Sequence, residues 1–242
     1  MKIASILALF KKELRSYFAS PPGYIFIGFY LLVSNGFFFF IHDFFRMGQA
    51  TMRDYFMTLP WIFLFFIPAV TMRLWAEERK LGTLEILLTL PLREAEVVLG
   101  KFFASLVFLL ITLAFTITVP VSIGILGRPD WGVIAASYAG AVFLGAAYLA
   151  IGLWISSLTE SQVAAFIVSV AAIFFLLAVG IAPAWLGSVG WFAALCEYLS
   201  MLSHFQNILR GVLDSRDAVY YVLVVTLFLY LNVKSIESQK WK

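Results

Sequence analysis

The longest polar stretch of the sequence, residues 77–101, carries the side chains whose types and spacing could do chemistry. Leu84, Leu87 and Leu88 recur at helical spacing on a short helix that Thr83 is placed to cap and that must end before Pro91. Fully burying each leucine is worth roughly 1.5–3 kcal/mol, so unpaired leucines would provide binding energy for a partner. Nine charged residues suited to ion pairs accompany them: Glu77, Glu78, Arg79, Lys80, Glu85, Arg93, Glu94, Glu96 and Lys101.

We predict that this segment transmits movement from a soluble motor protein to a membrane bundle. Gly82 lies between its two halves, and Glu78, Arg79 and Glu85 would keep the register by ion pairs. An ordinary loop whose leucines rest on lipid headgroups is the alternative interpretation.

The constellations that catalysis needs are missing from the sequence. His42 and His204 are its two histidines, without an H-E-x-x-H pattern for a metal, and no G-x-S-x-G provides an acyl nucleophile. A phosphate-binding loop is excluded at Lys101, because Ala95 and Phe102 stand where a glycine and a hydroxyl residue are required. No Asp or Glu lies within an apolar run, which argues against proton-coupled transport. We therefore expect no catalytic, metal-binding or cofactor-binding residue in this chain.

Composition indicates an integral membrane protein of one transmembrane domain, residues 1–242. The chain is 62% hydrophobic and 13% charged, more apolar than a soluble fold can bury. The single Cys196 excludes an intrachain disulfide. Six charge-free runs approach or exceed the roughly 20 residues that one helical crossing needs. The predicted fold is therefore all-α, with spans at residues 21–41, 57–76, 101–127, 131–157, 161–183 and 217–234.

Two further elements complete the predicted architecture. Residues 1–20 place apolar side chains on one arc and basic ones outside it, which predicts an amphipathic helix in the membrane surface. Residues 184–210 are largely apolar but contain Trp185, Trp191 and Tyr198, which favours a re-entrant hairpin on the outer side after a fifth span that ends near Pro183. Glu197 and His204 are expected there as a satisfied interfacial pair.

The distribution of basic residues predicts the orientation. With the N-terminus inside, twelve of the 17 lysines and arginines fall in cytoplasmic segments, as the positive-inside rule requires. Both termini and the coupling segment, residues 77–100, are then cytoplasmic. No basic patch with interleaved aromatic residues indicates nucleic acid, and membrane lipid is the expected surrounding.

The second predicted span contains two prolines, Pro60 and Pro68, and enters the polar segment directly. We expect a kink at residues 65–68, so that a bent helix could swing with the segment behind it. Pro91 fits the first turn of the third span, so a push on residues 84–90 would move two spans together. A substrate pathway would be lined by Phe63, Phe66, Pro68 and Met72; the alternative for these side chains is contact with lipid.

Two motifs resemble a known family. The pattern E-E-R-x-x-G-T-x-E-x-L-L-x-x-P, followed by V-L-G-K, within residues 75–101 resembles the segment between the second and third spans of the permease subunits of type-2 ABC exporters. Residues 203–221, SHFQNILRGVLDSRDAVYY, resemble the gliding-motility-associated permeases of the same superfamily.

The resemblance implies a permease subunit of a bacterial inner-membrane complex, working by alternating access as a homodimer. It further implies two separately encoded ABC ATPase subunits, which bind ATP and Mg, and an accessory subunit on the outer side. A non-transporting scaffold or force-transmitting subunit is the alternative, and the missing constellations argue against an intramembrane enzyme. The coupling to the ATPase would run through Glu77, Glu78, Arg79, Gly82, Thr83, Leu84, Glu85, Leu87, Leu88 and Pro91.

Overall fold

The computed structural model describes residues 3–42, 44–89, 92–186, 190–212 and 214–239, and the secondary structure in those ranges is entirely helical. The all-α prediction is thus confirmed. The helices are α1 Ile3–Ala19, α2 Pro21–Gly36, which continues as a π-helical turn Phe37–Ile41, α3 Phe44–Met47, α4 Arg53–Thr71, α5 Arg73–Lys80, α6 Thr83–Thr89, α7 Glu94–Phe115, α8 Thr118–Leu126, α9 Trp131–Ser156, α10 Gln162–Leu186, α11 Gly190–Leu199, α12 Met201–Ile208 and α13 Ser215–Gln239.

Six helical stretches in the described part of the chain are long and apolar enough to cross a membrane, which confirms the predicted number. Helix α10, which forms the fifth span, continues beyond its predicted end at Pro183 and reaches Leu186. A membrane helix tolerates a proline, because neighbouring helices and side chains can satisfy the backbone carbonyl that loses its amide donor. The six stretches are Pro21–Arg46, Arg53–Lys80, Glu94–Leu126, Trp131–Ser156, Gln162–Gly180 and Ser215–Gln239.

Helix α9 lies at the centre of the bundle, where it packs against α4, α7, α10, α12 and α13. Its small residues allow this close packing. A Cβ added at Gly145 would overlap Leu109 of α7, and one added at Gly152 would overlap the Thr71 hydroxyl of α4. These two glycines therefore set the distance at which α7 and α4 approach α9.

Helix α4 continues without interruption through the predicted kink at residues 65–68, and it ends at Thr71. The interruption comes one turn later, at Met72, whose amide still donates to the Pro68 carbonyl at 2.8 Å. Proline at position 68 thus does not end the helix where its own amide is missing. At the end of α4 the Thr71 hydroxyl donates to the Ile67 carbonyl at 3.1 Å.

Helices occupy the N-terminal region and the described part of the segment after the fifth span. Helix α1 packs along α7, with Leu9, Glu13 and Tyr17 buried and Ile3 81% exposed. Helices α11 and α12 occupy the proposed hairpin region, between the end of α10 and α13. The surface position of α1 and the re-entrant position of α11 and α12 in a bilayer stay predictions.

We predict that Gly152→Ala lowers the free energy of unfolding by about 1–3 kcal/mol, because the new methyl group overfills the contact with Thr71. Chemical unfolding of the detergent-solubilised chain, followed by circular dichroism, measures it. Gly28→Ala is the matched control, since its Cβ would meet nothing within 4 Å. An equal cost of Gly152→Ala in a Thr71→Ala background would show that this contact is not the cause.

Candidate functional site

The segment between the second and third spans folds as two short helices, α5 and α6, joined by a tight turn. Gly82 has a φ of 68°, in the left-handed region that favours glycine. Its amide donates to the Arg79 carbonyl at 3.0 Å, and the Leu81 amide donates to the Glu77 carbonyl at 3.0 Å. These bonds close the C-terminal end of α5. The conformation of the backbone therefore accounts for glycine at this place in the motif.

The leucines of α6 do not form a free surface. Leu84 is 6% exposed and Leu87 is 9% exposed, and both belong to the hydrophobic core of this chain. The expectation that they are unpaired is therefore wrong, because the apolar face of a short helix needs cover and the chain's own bundle supplies it. The side chain of Leu88, and Pro91 as a whole, lie outside the described residues.

The outward side of the segment carries Leu81, Thr83 and Glu85. Leu81, which sequence reasoning left out, is 67% exposed, and the other two are exposed as well. Thr83 is the first residue of α6, and its hydroxyl donates to the Glu78 carbonyl at 3.2 Å, so it closes the turn. The sequence offered one indication that Leu81 is exposed. Leu81 lies between the last turn of α5 and Gly82, and it does not belong to the periodic leucine face of α6.

A buried ammonium group ties this segment to the rest of the bundle. The side chain of Lys101, on α7, is 1% exposed. Its Nζ donates to the Leu74 carbonyl at 2.9 Å and lies 2.9 Å from Glu78 Oε1, both on α5. The same atom donates to Glu13 Oε1, on α1, at 3.2 Å. One charge thus joins three helices that are distant in sequence.

The charges around Lys101 balance. Lys12 Nζ lies 3.6 Å from Glu13 Oε1 and 3.7 Å from Glu78 Oε1, so two lysines face two carboxylates. The Lys101 ammonium also lies 4.9 Å from the centroid of the buried Trp75 ring. A buried ion keeps its charge only when partners replace its water, and these contacts do so.

Helix α1 reaches this cluster because Gly100 lets it approach α7. A Cβ added at Gly100 would lie 2.8 Å from Leu9 Cβ. Tyr17 lies one turn along α1 from Glu13, and its ring stacks on Phe108 with centroids 4.6 Å apart. The Arg73 guanidinium lies 5.3 Å from the centroid of the Tyr17 ring. Burial raises the pKa of the Tyr17 hydroxyl, and the charge of Arg73 partly opposes that rise. The phenol therefore stays neutral.

The interruption between α4 and α5 is held by Ser156, at the end of α9. Its Oγ accepts from the amides of Trp75 at 3.2 Å and Ala76 at 3.3 Å, and its hydroxyl donates to the Met72 carbonyl at 2.9 Å. These backbone groups lost their partners where the helix is interrupted. The start of α5 is therefore fixed to α9.

The far end of α5 is fixed to α13. Arg79 Nε donates to Gln239 Oε1 at 3.2 Å, and Gln239 Nε2 donates to the Ser157 carbonyl at 3.0 Å. Glu78 and Arg79 are expected from the sequence to keep the register of the coupling segment by ion pairs. Both side chains already make contacts within this chain.

A cleft of about 530 Å³ lies between α1, α5, α6 and α7. Glu78 Oε2, which is buried and has no hydrogen-bond partner among the described residues, belongs to a side chain that lines it. Leu81 lies at the same cleft. Further lining residues are Lys12, Glu13, Arg73, Glu77, Thr83 and Lys101.

The residues predicted to line a substrate pathway lie mainly in the core. Phe63 has no exposed surface and Phe66 is 6% exposed; their ring centroids lie 6.0 and 4.9 Å from that of Tyr30. Pro68 is buried and Met72 is partly exposed. These side chains pack against other rings of the chain, and their role in a substrate pathway stays a prediction.

Comparison with known proteins gives the family. Residues 7–235 match the family described as ABC-2 family transporter protein, and the chain belongs to that family. It is a multi-pass membrane protein and the permease component of an ABC-2 type transporter. The permease is the component that does not bind ATP, and such permeases work with an ABC ATPase. No curated protein matches the chain.

Among the residues that the structure describes, no group of three or more His, Cys, Asp or Glu could hold a metal ion.

We predict that Lys101→Met lowers the free energy of unfolding by about 3–5 kcal/mol, because it leaves Glu13 and Glu78 without their buried counter-ion. Denaturant unfolding in detergent measures the change. Lys12→Met is the matched control: this lysine faces the same carboxylates but is 62% exposed, so its loss should cost about 0–1 kcal/mol.

Restoring the charge balance provides the second control for Lys101. In a background with Glu13→Gln and Glu78→Gln, Lys101→Met should cost much less than in the natural chain. An equal cost in both backgrounds would assign the effect to lost packing of the lysine stem and would contradict the electrostatic explanation.

Proposed function

We propose that the chain forms a homodimer and couples ATP hydrolysis by a separate ATPase subunit to movement of a substrate across the bacterial inner membrane. The observation that carries this proposal is the cluster around Lys101. It joins the segment between the second and third spans to α1 and α7, so a displacement of that segment acts on two spans and the N-terminal helix together.

The docking surface of the ATPase is the outward side of the coupling segment. Leu81, Thr83 and Glu85 are exposed there, beside the cleft into which Glu78 faces. Leu84 and Leu87 seat α6 on the bundle, so that force is transmitted and the helix does not move alone.

The predicted topology supports this assignment. The excess of lysine and arginine in the N-terminal, coupling and C-terminal segments supports a cytoplasmic position of the cleft, where an ATPase would have access. Two ATPase copies with ATP and Mg and one accessory subunit on the outer face complete the proposed complex. A role in gliding motility or in export of surface components follows only from the resemblance of residues 203–221.

We predict that Leu81→Asp prevents copurification of the co-expressed ATPase, because it puts a charge where an exposed apolar side chain meets the partner. Pull-down from detergent extracts measures the association. Leu158→Asp is the matched control, because Leu158 is 54% exposed in the short turn after α9, which we assign no docking role. Retention of the ATPase by Leu81→Asp, or its equal loss from both variants, would contradict the docking surface.

We predict that Ser156→Ala leaves the ATPase bound but reduces the change in its hydrolysis rate that the permease causes. The substitution frees the amides of Trp75 and Ala76, and an unsatisfied buried group costs about 1–3 kcal/mol, which loosens α5 from α9. Phosphate release with and without the permease provides the measurement. An unchanged rate with the natural permease would favour the alternative, a non-transporting scaffold.

A further inference from the structure

The basic residues at the end of the bundle opposite the coupling segment are all of one type. The predicted orientation leaves five basic residues for the outer segments, and the eight lysines of the chain all lie in the cytoplasmic ones. A guanidinium group can bind a phosphate through two parallel N–H donors, whereas an ammonium group is a point charge. Arginine at this end therefore favours a phosphate-bearing ligand. The five outer residues are Arg46, Arg53, Arg128, Arg210 and Arg216.

Two of these arginines line one cavity, of about 420 Å³, which we call the arginine cavity. Arg53 is the first residue of α4, where its amide donates to the Thr51 hydroxyl oxygen at 3.2 Å. Arg210 comes two residues after the end of α12. Both side chains are exposed, and neither guanidinium group has a hydrogen bond or an ion pair within the described ranges of the chain. The two charges thus border a shared space and are available to a ligand.

The turn that carries Arg210 is seated on α9. Gly211 has a φ of 85°, in the left-handed region that favours glycine, and its amide donates to the Ile208 carbonyl at 2.9 Å. A Cβ added at Gly211 would lie 2.9 Å from Val133 Cγ2. The backbone next to Arg210 is therefore held against the start of α9, at the wall of the arginine cavity to which Val133 belongs.

The rest of the arginine cavity is largely apolar. Met57, one turn into α4 and 39% exposed, lines it together with Val133, Leu209 and the amide side chain of Gln206. Trp131, at the start of α9, is 55% exposed, and tryptophan is enriched where a bilayer meets water. A ligand suited to this cavity thus combines a phosphate with apolar carbon, as a phospholipid does at the level of its glycerol.

No carboxylate belongs to the described residues that line the arginine cavity. Asp130 lines a neighbouring cavity of about 310 Å³ with Arg53 and Arg128, and its Oδ1 accepts from two amides in the first turn of α9 at 2.9 and 3.2 Å. A headgroup with an ammonium group, such as choline, would lack an anionic partner in the arginine cavity and would be repelled by its two guanidinium groups. The lining therefore selects a ligand with a net negative charge.

A second cavity at this end, also of about 420 Å³, is lined by acidic residues. Glu197, Asp214 and Asp217 belong to it, and their carboxylates would repel a phosphate. His204 Nδ1 lies 2.6 Å from Asp217 Oδ1, so Asp217 takes the place expected for Glu197. Arg210 lines both cavities and has no ion pair to these carboxylates in the described part of the chain. An anion is therefore expected in the arginine cavity and not in the acidic one.

We propose that the arginine cavity binds the headgroup of an anionic phospholipid. Arg53 and Arg210 donate to the phosphate from opposite elements, and Met57 and Val133 contact the glycerol and the first carbons of the acyl chains. The bound lipid thereby joins the start of α4 to the end of α12. The proposal concerns the end of the bundle away from the coupling segment and does not depend on the coupling to an ATPase.

Native mass spectrometry of the full chain, delipidated in detergent and titrated with phosphatidylglycerol, measures the affinity of the first bound lipid. Arg53→Gln and Arg210→Gln should each weaken it about tenfold, the factor that corresponds to loss of one charge-assisted hydrogen bond. Arg216→Gln is the matched control. It removes the same charge from an exposed arginine at the same end, but Arg216 lines the acidic cavity, so the affinity should change by less than about twofold.

Two further ligands separate the headgroup charge and the acyl chains. Phosphatidylcholine has the same phosphate and an added ammonium group, so the natural chain should bind it more weakly than phosphatidylglycerol. This preference should disappear in the Arg53→Gln, Arg210→Gln double variant. Glycerophosphoglycerol, the water-soluble headgroup without acyl chains, should not displace phosphatidylglycerol when both are present at equal concentration, because it lacks the apolar contacts to Met57 and Val133.

Three results would overturn the proposal. One is an unchanged affinity of Arg53→Gln and Arg210→Gln for phosphatidylglycerol. The second is an equal loss of affinity in Arg216→Gln, which would assign the binding to the overall charge of this end. The third is displacement of the lipid by glycerophosphoglycerol, which would make a soluble phosphate compound the ligand. Circular dichroism of each variant before titration confirms that the affinities belong to folded protein.

Discussion

The ammonium group of Lys101, enclosed between two carboxylates and a backbone carbonyl, is the interaction on which one end of the bundle depends. A single buried charge is unstable in an apolar interior, so it selects the arrangement in which Glu13, Glu78 and Leu74 all reach it. Directional contacts of this kind fix register in a way that apolar packing does not. The short helices α5 and α6, too small to be stable alone, take their position from this charge and from the leucines beneath them.

Much of the fold could be predicted from the sequence because a bilayer imposes local rules. Charge-free runs gave the number of spans, since each crossing needs its own apolar stretch. The leucines of α6 show the limit of such rules. Their spacing predicts that Leu84 and Leu87 pack against other apolar side chains, but it does not tell whether those side chains belong to the same chain or to a partner. Contacts between distant residues leave no periodic pattern, so the role of Lys101 could not be found, and Leu81 was overlooked because it lies off the apolar face.

The helix interruption at Met72 and the pair at His204 illustrate the same limit. Proline chemistry places a missing donor near Pro68, yet the interruption falls where Ser156, more than eighty positions away, can satisfy the freed groups. His204 similarly had acidic neighbours on both sides in the sequence, Glu197 and Asp217. Only the packing of α13 decides between them. Local sequence thus defines which groups need partners, and the tertiary structure chooses the partners.

The link between Glu13 and Lys101 also has a consequence for biogenesis. The two residues are separated by 88 positions, so at ribosomal rates of about 5–20 residues per second the acid is made on the order of ten seconds before its base. During that interval the carboxylate of Glu13 lacks its buried counter-ion and has only the exposed Lys12 beside it, so the N-terminal helix must wait at the water-exposed surface while two spans are inserted. Its docking is then timed by the arrival of the third.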